Sequence, residues 1–346
     1  MTQKKLWIAF AVVVGLSFAV LLFYGNQIYQ KAPPVPVKVV DETGKVLFTG
    51  GDIKDGQNIW QSIGGQEIGT VWGHGAYVAP DWTADYLHRE AQYLLQKWSD
   101  AEYSKPFDAL SNPEKAALQT RLQEFLRTNT YDAATGILTI HSERYEAFLH
   151  NERHYAGLFM DDPSLDKLRS DYAIAKNTIK SEERMEKMAQ FFFWASWACV
   201  TERPGSDVTY THNWPPDEQI GNVPTSDLIL WTGFSIIMLL TGIGIMIFVQ
   251  ARSRAEDVLR PVDDPLMNQV VTPSMWAVKK YFWIVNLLIL VQVLLGVITA
   301  HYGVEGDAFY GIDIAKYIPY SITRTWHVQL AIFWIATAWL ATGLYI

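Results

Sequence analysis

Hydrophobic positions in this chain come in blocks. Residues 6–24, 228–249, 281–300 and 324–346 are each apolar over about 20 residues, the length that carries a helix across a bilayer core. Between the first two blocks the pattern changes to a mixed one, over enough residues for a domain with a core of its own. Residues 37–49 alternate apolar and polar around Asp41-Glu42-Thr43-Gly44, which predicts a short hairpin. Residues 52–60 open a helix. A Gly-rich loop follows over 64–75, carrying Trp72 and His74. The 3.6-residue period predicts an amphipathic helix over 83–99 with Tyr86, Ala91, Leu94, Leu95 and Trp98 inward. Ser111 as N-cap and Pro113 in the first turn open another helix over 112–128. Residues 142–160 and 181–199 also read as helices. A Pro-rich linker, 32–36, enters this domain, and the rigid segment Tyr-Thr-His-Asn-Trp-Pro-Pro-Asp-Glu over 210–218 leaves it. Its Tyr and Trp suit the membrane–water interface. The expected fold is mainly α: a membrane protein with four transmembrane helices and one mostly helical domain, 37–222, between the first two.

Charge orients this scheme. Lys4 and Lys5 precede the first block, and Arg252, Arg254, Arg260, Lys279 and Lys280 lie in the connection 250–280, whereas the connection 301–323 carries one lysine. Positive charge collects on the cytoplasmic side, so the N-terminus and 250–280 are expected inside, with the 37–222 domain and 301–323 outside. The first apolar run is longer than a signal-peptide core and is followed by no small-x-small cleavage site, which predicts a retained anchor. The net charge of −8 comes without a basic stripe and argues against nucleic acid as a partner. Cys199 is the single cysteine, which excludes an internal disulfide, a Cys-based metal or iron–sulfur site, and covalent haem attachment through Cys-x-x-Cys-His.

His327 stands one turn inside the last apolar block, with Ala331, Trp334 and Ala338 on its helical face. Small residues beside an imidazole leave room for a flat group such as a porphyrin, and ionisable residues inside a membrane segment are mostly functional. A histidine hydrogen-bonded to a neighbouring helix fits the same pattern. At the outer end of the third block, His301 and Glu305 are four apart. An imidazole and a carboxylate on one face can take protons from a lipid-soluble hydroxylated ring as it is oxidised, although an ordinary polar helix end has the same look. Asn286 and Gln292 can hydrogen-bond between helices. His150 and His154 share a spacing that can hold a metal but lack the His-Glu-x-x-His pattern, so a solvated or core polar pair accounts for them as well. His74, His88, His141 and His212 have no partner at ligand spacing. No helix-stop signal follows Ile346, and the chain is expected to be the front part of a longer protein.

Three segments are more specific: Gly-His-Gly-Ala-Tyr-Val-Ala-Pro over 73–80, Tyr-Thr-His-Asn-Trp-Pro-Pro-Asp over 210–217, and Tyr-Ile-Pro-Tyr-Ser-Ile-Thr-Arg-Thr-Trp-His over 317–327. With them the sequence resembles, over essentially its whole length, the N-terminal part of the single-chain quinol-dependent nitric oxide reductases, relatives of the haem–copper oxidases. The resemblance implies a bacterial-type inner-membrane protein whose periplasmic, cytochrome c-like domain lacks haem, which the missing Cys-x-x-Cys-His fits. It implies His327 as an axial ligand of low-spin haem b, Arg324 as partner of a haem propionate, and His301 and Glu305 in a quinol site. It further implies backbone positions Gly75 and Tyr77 beside a calcium ion. The partners implied are membrane quinol, the bilayer and C-terminal helices of the same protein, with no cytochrome c required. High-spin haem b3 and non-haem iron would be held by later helices that this sequence does not contain, leaving the electron-entry side here. The family reaction joins two nitric oxide molecules, with two electrons and two protons, into nitrous oxide and water. An oxygen-reducing haem–copper oxidase subunit and a non-redox, membrane-anchored periplasmic binding module are the competing readings.

Overall fold

The computed structural model of the protein describes residues 3–66, 68–75, 80–252, 269–304, 314 and 317–346. In chain order the elements are α1 (Gln3–Lys31), β1 (Lys38–Val40), β2 (Val46–Thr49), α2 (Gly50–Ser62), β3 (Thr70–Val71), β4 (His74–Gly75), α3 (Trp82–Tyr103) and α4 (Asn112–Arg127). They continue with β5 (Tyr131–Asp132), β6 (Ile137–Thr139), α5 (Ser142–Phe159), α6 (Asp166–Asp171), α7 (Glu182–Val200), α8 (Ser226–Arg252), α9 (Pro273–Val304) and α10 (Tyr320–Tyr345). The protein is mostly helical, with a helical soluble domain, and α1, α8, α9 and α10 are long and apolar enough to cross a membrane.

These four helices extend beyond their apolar blocks, because hydropathy reports what can lie in lipid while the backbone ladder decides what is helical. The hydroxyl of Thr272 accepts the N–H of Met275 at 3.3 Å, and Pro273 occupies the first helical position, where its missing N–H costs nothing. That cap starts α9 well before the apolar block at 281 and shortens the expected 250–280 connection, of which 253–268, with Arg254 and Arg260, lie outside the described residues. Pro319 likewise precedes α10.

Two compact units make up the chain. The first takes in Met1–Ile53, Thr83–Asn151 and Phe192–Pro224. The expected hairpin forms, with Val39 opposite Phe48 in an antiparallel pair. It belongs to a four-stranded sheet of order β2-β1-β6-β5, in which β1 pairs parallel to β6. Strands β5 and β6 are too short to show a period of two, so alternation gives no sign of them. Asp132 shapes their turn by accepting the N–H of Ala134 at 2.9 Å. The inward face of α3 is the one its period predicts: Tyr86, Ala91, Leu94, Leu95 and Trp98 are all buried. Ser111 and Glu114 close a capping box on α4. Phe48 packs against Phe148 and Phe193 with ring centroids 5.7 Å away in each case. Beside them Arg144 donates to Glu90 at 2.9 Å, both side chains being almost wholly shielded from solvent. Arg127, in the last turn of α4, donates to the Glu202 carboxylate, the carbonyls of Asp207 and Gly221, and the Asn222 side chain. It thereby ties down the segment that the sequence shows only as a rigid connector. Glu42 and His141 meet at 2.8 Å, and this hydrogen bond, with one from the Ser142 N–H, holds the Glu42 carboxyl below the usual carboxylate range.

The second unit takes in Lys54–Trp82, Glu152–Phe191 and Thr225–Ile346. Trp82 is fully buried among Tyr155, Phe159 and Tyr172. The Gly-rich stretch folds over this ring: a Cβ at Gly69 would overlap the Trp82 indole, so only glycine lets the backbone approach so closely. The buried Arg169 donates to the carbonyls of Gly157 and Leu158 in the last turn of α5 and to that of Asp162 just beyond it.

Arg144→Leu should cost about 3–5 kcal/mol, because the Glu90 carboxylate is left buried without its partner. The double variant Glu90→Leu/Arg144→Met should recover most of that loss. Thermal unfolding of the three proteins, followed by near-ultraviolet circular dichroism, makes the comparison.

Candidate functional site

The candidate site lies between α9 and α10. The two helices run antiparallel: Gln292 of α9 meets both His327 and Trp334 of α10, Tyr320 packs on Ile298, and Tyr345 shares a small cavity with Met275 and Phe282.

His327 Nδ1 lies 2.9 Å from the carbonyl oxygen of Gln292. A carbonyl can only accept, so Nδ1 carries the proton. In the neutral ring Nε2 then keeps its lone pair, and it has no hydrogen-bond partner among the described residues. Neutral imidazole with one nitrogen donating to a backbone carbonyl is the arrangement of metal-ligating histidines. A nitrogen so arranged could hold a haem iron, and His327 is the residue that would supply it. Among the described residues no group of three or more His, Cys, Asp or Glu is placed to hold a metal ion by protein ligands alone.

Gly296 and Trp334 complete the surroundings of this contact. At Gly296, one turn beyond Gln292, a Cβ would stand 2.7 Å from His327 Cε1 and 2.9 Å from Nδ1. Any larger residue would push the ring away from the carbonyl. Two turns along α10, Trp334 Nε1 donates to Gln292 Oε1 at 2.7 Å. One residue of α9 thus contacts two positions of α10 separated by seven, which share a helical face. The face carrying Ala331, Trp334 and Ala338, expected to leave room for a flat group, is partly covered, with Trp334 turned to α9. Gln292 hydrogen-bonds between helices, as its position in an apolar span suggested, whereas Asn286 is exposed.

The remaining candidates are placed as follows. Arg324, one turn before His327, is exposed and donates from Nη1 to Gln66 Oε1, in the turn after α2. His301 lies half-buried in the last turn of α9. Glu305 and Tyr77 lie outside the described residues. Gly75 pairs with Thr70 across the β3–β4 hairpin, which Asp81 braces by accepting from the Thr70 hydroxyl at 2.6 Å and the Gly73 N–H at 2.7 Å. His150 packs at a tilt on Tyr93, with centroids 4.9 Å apart, and His154 sits against Tyr155. The residue that sequence reasoning passes over is Gly296. Its only signal is a glycine inside an apolar helix, which marks close packing as often as anything else.

Residues 36–216, just over half of the chain, match the family model of the cytochrome c-like domain of NorB, a nitric oxide reductase component. No curated protein matches the chain.

Gly296→Ala should destabilise the α9–α10 pair by about 1–3 kcal/mol, since the added methyl overpacks a contact that has no slack. A lowered thermal midpoint in detergent, with helix content unchanged before the transition, is the expected result.

Proposed function

The chain belongs to the NorB cytochrome c-like family of the nitric oxide reductases, and on that premise we propose that it is the electron-input part of a quinol-oxidising nitric oxide reductase of the inner membrane. The observation that carries this reading is His327: an imidazole in an apolar helix, tautomer set by the Gln292 carbonyl, with Nε2 left to bind iron. Low-spin haem b at this nitrogen would supply a one-electron carrier between quinol and the reduction of two nitric oxide molecules, with two electrons and two protons, to nitrous oxide and water, for which haem b3 and a non-haem iron would supply the reducing centre.

Two further residues, Arg324 and His301, stand where their proposed roles would need them. Arg324 presents a guanidinium at the exposed start of α10, and its planar fork suits a propionate carboxylate. His301 lies nine residues along α9 from Gln292, about 14 Å at 1.5 Å per residue. A base there, with Glu305 following in the sequence, would take protons from a quinol close to the electron acceptor. The charge pattern around the spans supports a cytoplasmic N-terminus and a periplasmic domain. The absence of Cys-x-x-Cys-His from the sequence supports a cytochrome c-like domain without attached haem, and so quinol rather than cytochrome c as donor. Gly75 and Tyr77 are proposed as backbone neighbours of a calcium ion on family likeness alone.

In the full-length protein, His327→Ala should abolish the low-spin haem b signal while leaving membrane insertion intact, because the span only becomes more apolar. An optical spectrum with haem counted per protein decides this, and a retained bis-histidine signal would overturn the assignment.

His301→Ala should leave haem content unchanged and slow quinol-driven turnover by about 10²–10⁴-fold, the usual contribution of a general base. Turnover with an artificial electron donor should be spared. Equal loss with both donors would make His301 structural.

A further inference from the structure

We propose that Gln292 is a positioning residue for His327, acting through both of its polar ends, with Trp334 as the anchor that holds it. This rests on the reading of His327 as an axial haem ligand. The backbone carbonyl of Gln292 accepts the Nδ1 proton at 2.9 Å, and the side-chain amide oxygen of the same residue accepts from Trp334 Nε1 at 2.7 Å. The two contacts act on α10 at points about 10 Å apart along its axis. A single contact would leave α10 free to slide or turn about it, whereas two contacts from one residue set both register and rotation. Register matters here because the clearance at Gly296 is small: less than the space of one Cβ separates the α9 backbone from the imidazole edge. If the Trp334 contact is cut, α10 can shift, the Nδ1–H···O bond lengthens and Nε2 swings off its aim.

The consequence is electronic as well as geometric. An imidazole that donates a short hydrogen bond is a more basic ligand, and it favours the oxidised iron. Weakening that bond should raise the midpoint potential of the haem and lower its affinity. Gln292 and Trp334 touch neither iron nor quinol in this scheme, so their effect passes through His327 alone.

The test is a double-mutant cycle in the full-length protein, using Gln292→Met, Trp334→Phe and the pair together, with His327→Ala as reference. Gln292→Met keeps side-chain length and removes the acceptor, and Trp334→Phe keeps an aromatic ring and removes the donor. The readouts are haem b per protein, its midpoint potential, and the low-spin electron paramagnetic resonance spectrum. Each single variant should weaken haem binding, by at most the roughly 10–100-fold that loss of a ligand's own hydrogen-bond partner brings. Each should also move the potential upward and alter the low-spin signal. The double variant should be no worse than either single one, because both remove the same bond. Unchanged potential and spectrum in both single variants would overturn the positioning role and leave His327 as ligand. Additive effects would also overturn it, because independent packing losses would then be at work. Retention of the low-spin signal in His327→Ala would instead bring down the ligand assignment, and the positioning role with it.

Discussion

In a membrane-spanning helix each backbone N–H donates to a carbonyl four residues back, but each carbonyl oxygen keeps a second lone pair. The α9–α10 pair turns on how that spare capacity is used at Gln292. Its oxygen takes a second donor, His327, and a carbonyl's inability to donate settles the proton on Nδ1. The approach needed for that bond in turn requires glycine at 296, and the rotation of α10 that delivers the ring also brings Trp334 to the Gln292 amide. Small residues and polar side chains hold helices together in lipid because lipid tails compete evenly for apolar contacts. Here the same contacts that join the helices also set the tautomer of His327 and leave Nε2 its lone pair.

The soluble domain, where hydrophobic burial does drive packing, solves a different problem. Its strands are short and its helices are joined by long irregular segments, so many backbone carbonyls need partners outside the ladders. Arginine supplies them. Arg169 closes the end of α5, and Arg127 gathers the segment from Glu202 to Asn222. The planar guanidinium, with five donors in a fixed fork, reaches several carbonyls at once. Rings fill the space between: Phe48, Phe148 and Phe193 in one unit, and Trp82 with its three aromatic neighbours in the other.

Much of this is written in the residue pattern. Unbroken apolar runs of bilayer length can only be spanning or buried helices, so the four long helices are legible, as is α3, whose inward residues follow from the 3.6 period. The hairpin over 37–49 is legible from its Asp-Glu-Thr-Gly turn, but its parallel neighbour β6 is not, since three residues carry no periodicity and a partner nearly a hundred residues away leaves no local trace. Helix ends taken from hydropathy come out short, although Thr272-Pro273 is a start signal in its own right.

The sequence by itself determined the long helices, the membrane class, the exclusion of an internal disulfide and the placing of one imidazole, His327, in the last apolar block, because these depend on local composition and spacing. It also brought Asn286 and Gln292 forward as polar residues able to hydrogen-bond between helices, of which Gln292 does so. Only the tertiary structure decided which atom of Gln292 meets which residue, that the histidine's proton sits on Nδ1, and that Gly296 is a clearance and not a flexible point. Those facts belong to the register between two helices. Register is set by contacts between residues distant in the chain, each of them weak alone, and no pattern along one helix records where the other will stand.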